Sequence, residues 1–275
     1  MPQLSRLGVF ETVYPRQNLE DSFRALVNAG FASVQFDLAS GEVDAWAGPV
    51  DPMDLRKIVT AATATDVSIP AISGTYNMAH PDPAVRAAGL VGIQRVIEAA
   101  PVLGAAYVTL CTGSRSLRSM WHEHADNASA EAWRDGQRSI EAALETADRN
   151  GITLLVEPEP ANVVGSAALA RRMLDEVGHP RLKVVLDPAN AVLSNLNRTP
   201  SDVLSEAFEL LGEDIAFAHA KDLRANGTFC AAGTGIVPWP HYRSLLDGID
   251  FQGDVIFHTL TEADVSRALE AWHGH

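Results

Sequence analysis

Two cysteines in 275 residues, Cys111 and Cys230, are too few for a disulfide scaffold, and reduced thiols are the simpler reading. Lysine and arginine number 21 against 35 aspartates and glutamates, a formal net charge of −14. No Lys/Arg-rich stretch stands out. The pairs Arg171-Arg172 and Arg56-Lys57 lie in helix-like segments, where a solvated face accounts for them. Nucleic-acid binders draw affinity from phosphate contacts to a basic face, so no nucleic-acid partner is expected. The apolar run at residues 99–110 contains Pro101 and Gly104 and is far short of a bilayer span, so no membrane partner is expected. Residues 1–6, Met-Pro-Gln-Leu-Ser-Arg, hold no apolar signal core, which points to a cytoplasmic protein. There is no Gly-x-Gly-x-x-Gly after the first apolar run, which weakens a dinucleotide-binding reading. Low-complexity tracts and domain linkers are missing too.

What the chain has is a regular alternation. Short apolar runs at 7–10, 33–36, 68–72, 106–110, 152–157, 182–187, 215–220 and 254–258 read as strands. Amphipathic stretches at 18–29, 51–65, 83–100, 128–150, 166–177, 201–211, from 241, and at 262–272 read as helices. Eight strand–helix pairs, each about 34 residues long, match the spacing of a (β/α)₈ TIM barrel. The strands lack clean polar alternation, as expected where both faces are buried. The expectation is a single α/β domain spanning residues 1–275.

A barrel of this kind places its chemistry at the C-terminal ends of its strands. The fifth strand ends in Glu157, the sixth in Asp187, the seventh in His219 and the eighth in His258. Their separations of 30, 32 and 39 residues are each about one strand–helix unit. Two carboxylates and two imidazoles on adjacent strands would then converge. Burying such groups unpaired is costly, and a divalent cation resolves the cost. Mixed carboxylate and imidazole ligation suits one Mn²⁺, Mg²⁺, Co²⁺ or Zn²⁺ ion.

The motifs around these residues carry a resemblance. Glu157-Pro158-Glu159-Pro160 with Asn162-Val163-Val164, Leu186-Asp187-Pro188-Ala189-Asn190 and His219-Ala220-Lys221-Asp222 resemble the sugar phosphate isomerase/epimerase family of xylose-isomerase-like barrels. The segment from Ser73 to Asp82 fits, as do Thr112-Gly113, Met120-Trp121, His124, Asp126-Asn127 and Ala132-Trp133. The resemblance implies one divalent metal held by a Glu, an Asp, a His and a last acidic residue on strand eight. The first three map to Glu157, Asp187 and His219. The fourth does not: strand eight ends Phe257-His258-Thr259-Leu260, with Glu262 four residues past His258. In such epimerases the glutamates of strands five and eight flank the substrate as acid and base. Here His258 stands in the second place, as metal ligand, as base, or as both in different states.

The implied chemistry is proton abstraction beside a metal-polarised carbonyl of a sugar, sugar phosphate or polyol. Isomerisation, epimerisation and dehydration of a keto-inositol share that first step. From other classes, an endonuclease IV-type nuclease is disfavoured by the charge, and a non-catalytic binding barrel has the missing strand-eight glutamate in its favour. The candidate substrate contacts are His80, His124, Glu159, Asn190 and Lys221. For Asn190 a helix or turn cap is an equal alternative. For Arg224 a solvated loop position is as good as a phosphate contact. The Gly233-Thr234-Gly235 loop is better explained by turn chemistry than by anion binding. Trp133 reads as core on its helix, and Trp121 and Trp239 as candidate pocket walls. The resemblance also allows for a homo-oligomer.

Overall fold

A computed structural model describes residues 6–274. Eight parallel strands close into one barrel in the order β1-β10-β7-β6-β5-β4-β3-β2. They are β1 (Leu7–Phe10), β2 (Ser33–Phe36), β3 (Ser68–Ser73), β4 (Tyr107–Leu110), β5 (Thr153–Val156), β6 (Leu182–Leu186), β7 (Ile215–Ala220) and β10 (Val255–Phe257). A two-stranded antiparallel pair, β8 (Asp222–Leu223) and β9 (Phe229–Cys230), folds out of the loop after β7.

The surrounding helices are α1 (Leu19–Asn28), α2 (Pro52–Thr65), α3 (Pro83–Ala99), α4 (Ala130–Asn150), α5 (Ala167–Val177), α7 (Pro200–Leu211), α8 (Trp239–Gly248) and α9 (Val265–His273). Their starts are chemically marked. Asn18, Asp51, Asp82, Ser129, Ser166 and Thr199 each cap a helix by accepting a backbone N–H from its first turn. Two features were not expected from the sequence. A short α6 (Pro188–Leu193) starts directly at the end of β6, and the β8–β9 pair occupies what read as a plain glycine-rich loop.

Strand alternation splits the core in two. Val9, Leu154, Val156, Val184, Leu186, Val255 and Phe257 face outward into the large core shared with the helices. Ala71, Leu155, Val185, Phe217 and Ile256 form a separate small cluster inside the barrel. This inner layer is the floor of the site. Side chains alternate with a period of two, so the next inward position on each strand lies one layer higher. Two residues beyond Leu155, Val185, Phe217 and Ile256 stand Glu157, Asp187, His219 and His258.

Candidate metal centre

Asp187 is the hub. It caps α6, with its Oδ1 accepting from the backbone N of Ala189 at 2.8 Å and of Asn190 at 3.0 Å. Pro188 at the first helical position has no N–H to satisfy and fixes the turn. With Oδ1 held by the helix, Oδ2 faces the barrel mouth. There it meets His258 Nε2 at 3.0 Å, Lys221 Nζ at 3.0 Å and His219 Nδ1 at 3.7 Å.

His219 is buried at the end of β7, with 1% of its side chain exposed. Its Nε2 pairs with Gln35 Oε1 at 2.9 Å, deep inside the barrel. The Gln35 amide nitrogen donates to Ser73 Oγ at 3.1 Å and Thr109 Oγ1 at 3.2 Å. Those bonds turn the carbonyl of Gln35 toward His219, so Nε2 of the imidazole carries the hydrogen. When the ring gives up its second proton, it presents a lone pair at Nδ1. That atom has no hydrogen-bond partner, although Glu157 Oε1 stands at 3.4 Å.

Glu157 continues the β5 ladder, donating its N–H to Leu110 O at 2.8 Å. Its Oε1 accepts from Asn190 Nδ2 at 2.9 Å, and its Oε2 lies 3.9 Å from Cys111 Sγ. Lys221 donates to Asn190 Oδ1 at 2.7 Å and stands 3.9 Å from the centre of the Phe229 ring. Phe10, at the end of β1, closes the other side, its ring 5.0 Å from that of His258 and 5.8 Å from that of His219. Beyond His258 the chain turns sharply at Thr259, whose φ of +58° is unusual for a β-branched residue; its Oγ1 lies 3.2 Å from His258 Nδ1.

The charges are strongly coupled. Burial works against the charged form of His219, but the Glu157 and Asp187 carboxylates beside its Nδ1 outweigh it and raise its pKa to about 9. Burial lowers His258 to about 4, with the Asp187 hydrogen bond opposing, so it is neutral near pH 7. Desolvation pushes the Asp187 carboxyl up, yet the Lys221 charge and both imidazoles hold it well below the usual range. Glu157 is lowered too, because the His219 charge overcomes its burial. Glu159 differs: burial raises it despite the pull of Lys221.

Asp187, His219 and His258 each offer a ligand atom within 4.8 Å of the others, the spacing of a metal site. The Nδ1 of His219 once its proton is displaced, the neutral imidazole of His258, and the Oδ2 of Asp187, already shared between His258 and Lys221, offer ligand atoms that fit a divalent cation. Glu157 lies beside this set, against His219, rather than within it.

Of the candidate contacts, Asn190 and Lys221 join the cluster; Asn190 links Glu157 to Lys221. Glu159 is half-buried, with Oε1 accepting from Ala161 N at 3.4 Å. His80 and His124 do not reach the cluster through any described hydrogen bond. Their Nδ1 atoms accept from Asp82 N at 3.0 Å and Asp126 N at 3.2 Å, which makes both of them turn-forming residues. His241 lies in the first turn of α8 and bonds Ser205. Trp239 is committed to Asp222, Trp133 to Glu176, and Trp121 and Arg224 are exposed. The sequence reading missed Gln35, Phe10 and Tyr242, the last with its hydroxyl shared between Leu186 O and His219 O, both at 3.2 Å. Gln35 had a signal: it is the one amide in the short strand Ser-Val-Gln-Phe, all four residues of which are buried.

Among the described residues, no helix is long and apolar enough to cross a membrane. A family model described as xylose isomerase-like TIM barrel matches residues 23–272. No curated protein matches the sequence. Solved structures do match. An E. coli 3-keto-D-glucoside 4-epimerase superposes with a TM-score of 0.76 at 16% identity, covering 98% of this chain and 100% of that one. A D-allulose 3-epimerase from Methylomonas sp., in complex with D-allulose, gives 0.71 at 17% identity over 99% and 92% of the two chains. An L-ribulose 3-epimerase gives 0.74 at 18% identity over 99% and 87%. At these identities the likeness is one of fold.

Proposed function

Because the chain belongs to the xylose isomerase-like TIM barrel family, we propose that it is a divalent-metal-dependent isomerase or epimerase of a small sugar or polyol. The observation that carries this reading is the buried Asp187–His219–His258 cluster at the C-terminal mouth of the barrel. Two imidazole nitrogens and a carboxylate suit Mn²⁺, Co²⁺ or Zn²⁺ better than Mg²⁺, which prefers oxygen alone. The sugar epimerases of similar fold act on substrates of the class proposed here.

The bound cation would supply Lewis acidity, polarising a carbonyl oxygen and acidifying the neighbouring C–H. The protein supplies the rest. Glu157, its carboxyl below the usual range and oriented by Asn190 Nδ2, is the base that takes the proton at Oε1 or Oε2. Glu159, whose carboxyl is pushed above its usual range by burial, stands as the candidate proton donor to substrate. Lys221 balances the Asp187 charge and offers its ammonium hydrogens to a substrate oxygen. Phe10 keeps water from one side of the two imidazoles. His258, neutral and 3.0 Å from Asp187, serves this scheme as a ligand, which leaves proton transfer to the glutamates.

Solvent exchange tests the proposal. Metal-loaded protein is incubated in D₂O with a panel of ketoses, keto-sugars and inosones, and carbon-bound hydrogen is followed by NMR. Deuterium should enter the carbon beside the carbonyl, and Glu157→Gln should slow this about 10²- to 10⁴-fold without loss of metal. Loss of water from the substrate would move the assignment to a dehydratase. No exchange with any sugar that binds would overturn the catalytic reading.

A further inference from the structure

Among the described residues, four other than glycine take a positive φ, and three of them, Glu42, Asp66 and Asp250, are unbranched at Cβ. The fourth is Thr259, at +58°, where the two heavy atoms on Cβ make the left-handed region costly. Glycine is the usual occupant of such a turn, with asparagine or aspartate next. The conformation is imposed from both sides. Before it, His258 donates its backbone N–H to Ala220 O at 3.4 Å, extending the pairing of β10 with β7. After it, Leu260 packs against the large core, Thr261 and Asp264 cap the next helical turn reciprocally, and Glu262 holds Arg16 with both oxygens at 2.9 Å. These anchors set the backbone, but they do not call for a β-branched residue at the turn.

The hydroxyl does. Thr259 Oγ1, at 3.2 Å, is the one hydrogen-bond partner of His258 Nδ1 among the described residues. His258 Nε2 faces the ionised Asp187 Oδ2 at 3.0 Å, and a carboxylate can only accept. The neutral ring therefore carries its hydrogen on Nε2, and Nδ1 accepts from the Thr259 hydroxyl. For Nε2 to serve as a metal ligand, the hydrogen has to sit on Nδ1 instead, and Nδ1 then needs an acceptor. A hydroxyl is donor and acceptor at once and changes role by rotating. A carbonyl oxygen in its place would hold one tautomer only, as that of Gln35 does for His219.

We propose that Thr259 is the positioning residue of His258, its hydroxyl pairing with Nδ1 in both tautomers. Nε2 can then carry a hydrogen toward Asp187 in the metal-free protein and present a lone pair in the loaded one. The ring's hydrogen changes nitrogen, and no proton is gained or lost overall. This role rests on the metal reading of Asp187, His219 and His258, and adds to it the residue that lets His258 serve.

The test is the zinc affinity of the full-length protein at pH 7, where His258 is neutral, measured by competition with a chelator. Thr259→Ser keeps the hydroxyl and should stay within about twofold of the parent. Thr259→Val keeps the shape without the hydroxyl and should bind zinc about 10- to 100-fold more weakly. Thr259→Gly removes the strain and the hydroxyl together and should lose about as much as the Val variant. A residue that only shaped the turn would give the opposite result, since glycine suits the turn best. Histidine nitrogen NMR should show the His258 hydrogen on Nε2 without zinc and on Nδ1 with it. Affinity within about twofold of the parent for the Val or the Gly variant, or a Ser variant as weak as Val, would overturn the role of Thr259 alone. So would a hydrogen that stays on the same nitrogen in both states. A parent that binds no zinc would overturn the metal reading and this role together.

Discussion

Gln35 decides which nitrogen of His219 faces the metal centre. With Ser73 and Thr109 accepting its amide hydrogens, only its carbonyl is left for the imidazole. Gln35→Leu removes that acceptor and frees the ring to hold its hydrogen on either nitrogen. Metal affinity, measured by competition with a chelator, should fall about 10- to 100-fold. In metal-free protein above pH 9, where His219 is neutral, histidine nitrogen NMR should show the Nε2–H form in the parent and a mixture in the variant. An affinity within about twofold of the parent would show that Gln35 only fills space. Gln35 was hard to pick from sequence, because one amide in a strand says nothing of its partner 184 positions away. Glu157, Asp187, His219 and His258 were easier, because each ends an apolar run whose inward position lies two residues earlier. Phe10 and Tyr242 were invisible for the opposite reason: as apolar-looking residues in apolar surroundings they give no signal until contacts are known.

The loop after β7 shows what an element can hide. Gly233-Thr234-Gly235 looked like turn chemistry, with anion binding as the rarer reading. The loop does cradle an anion, and it is the protein's own Asp222. That buried carboxylate accepts from the backbone nitrogens of Leu223 (2.8 Å), Gly233 (3.0 Å), Gly235 (2.9 Å) and Val237 (3.0 Å) and from Trp239 Nε1 (3.2 Å). A Cβ on Gly235 would sit 2.3 Å from Asp222 Oδ1, so only glycine lets the backbone come this close. Lys221 precedes this anchor directly, and His219 lies three residues before it, so the loop also steadies the site. Asp222→Ala leaves several buried donors unpaired and should destabilise the fold by roughly 3–5 kcal/mol, read as a lower urea midpoint. A loss below about 1 kcal/mol would mean that water replaces the carboxylate freely. The same local chemistry explains why α6 escaped the periodicity. Its six residues, Pro188–Leu193, are too short to show an amphipathic pattern, and only the Asp-Pro start announces it.

Across the whole molecule, the barrel's closed order puts β5, β6, β7 and β10 side by side, and the cluster ties their ends together. The rhythm of strands and helices was readable because every unit repeats the same burial problem. The count of eight units pointed to a closed barrel, but the register across its seam was not readable, since nothing in one strand specifies the pairing of β1 with β10. A cation bound across three of these strands should stabilise the fold by linkage, and pH should modulate the effect in a defined direction. Without metal, His219 has a pKa of about 9 against an ordinary 6.5. A histidine raised on folding lends stability that is complete below 6.5 and lost as pH climbs through 9. Metal must displace that proton, whereas His258, lowered to about 4, has none to give up. Apparent metal affinity should therefore rise about tenfold per pH unit up to roughly pH 9, with about one proton released per ion. The melting temperature of chelator-treated protein should fall relative to the metal-loaded form, and the gap should widen between pH 6.5 and 9. Over that window the difference amounts to roughly 3 kcal/mol, or about 6–12 °C for a chain of this size. Calorimetric scans with and without chelator, run at several pH values, measure it directly. A gap that is constant or narrows with pH would mean that His219 carries no proton in the metal-free fold, and that the Glu157–His219 pairing described here is wrong.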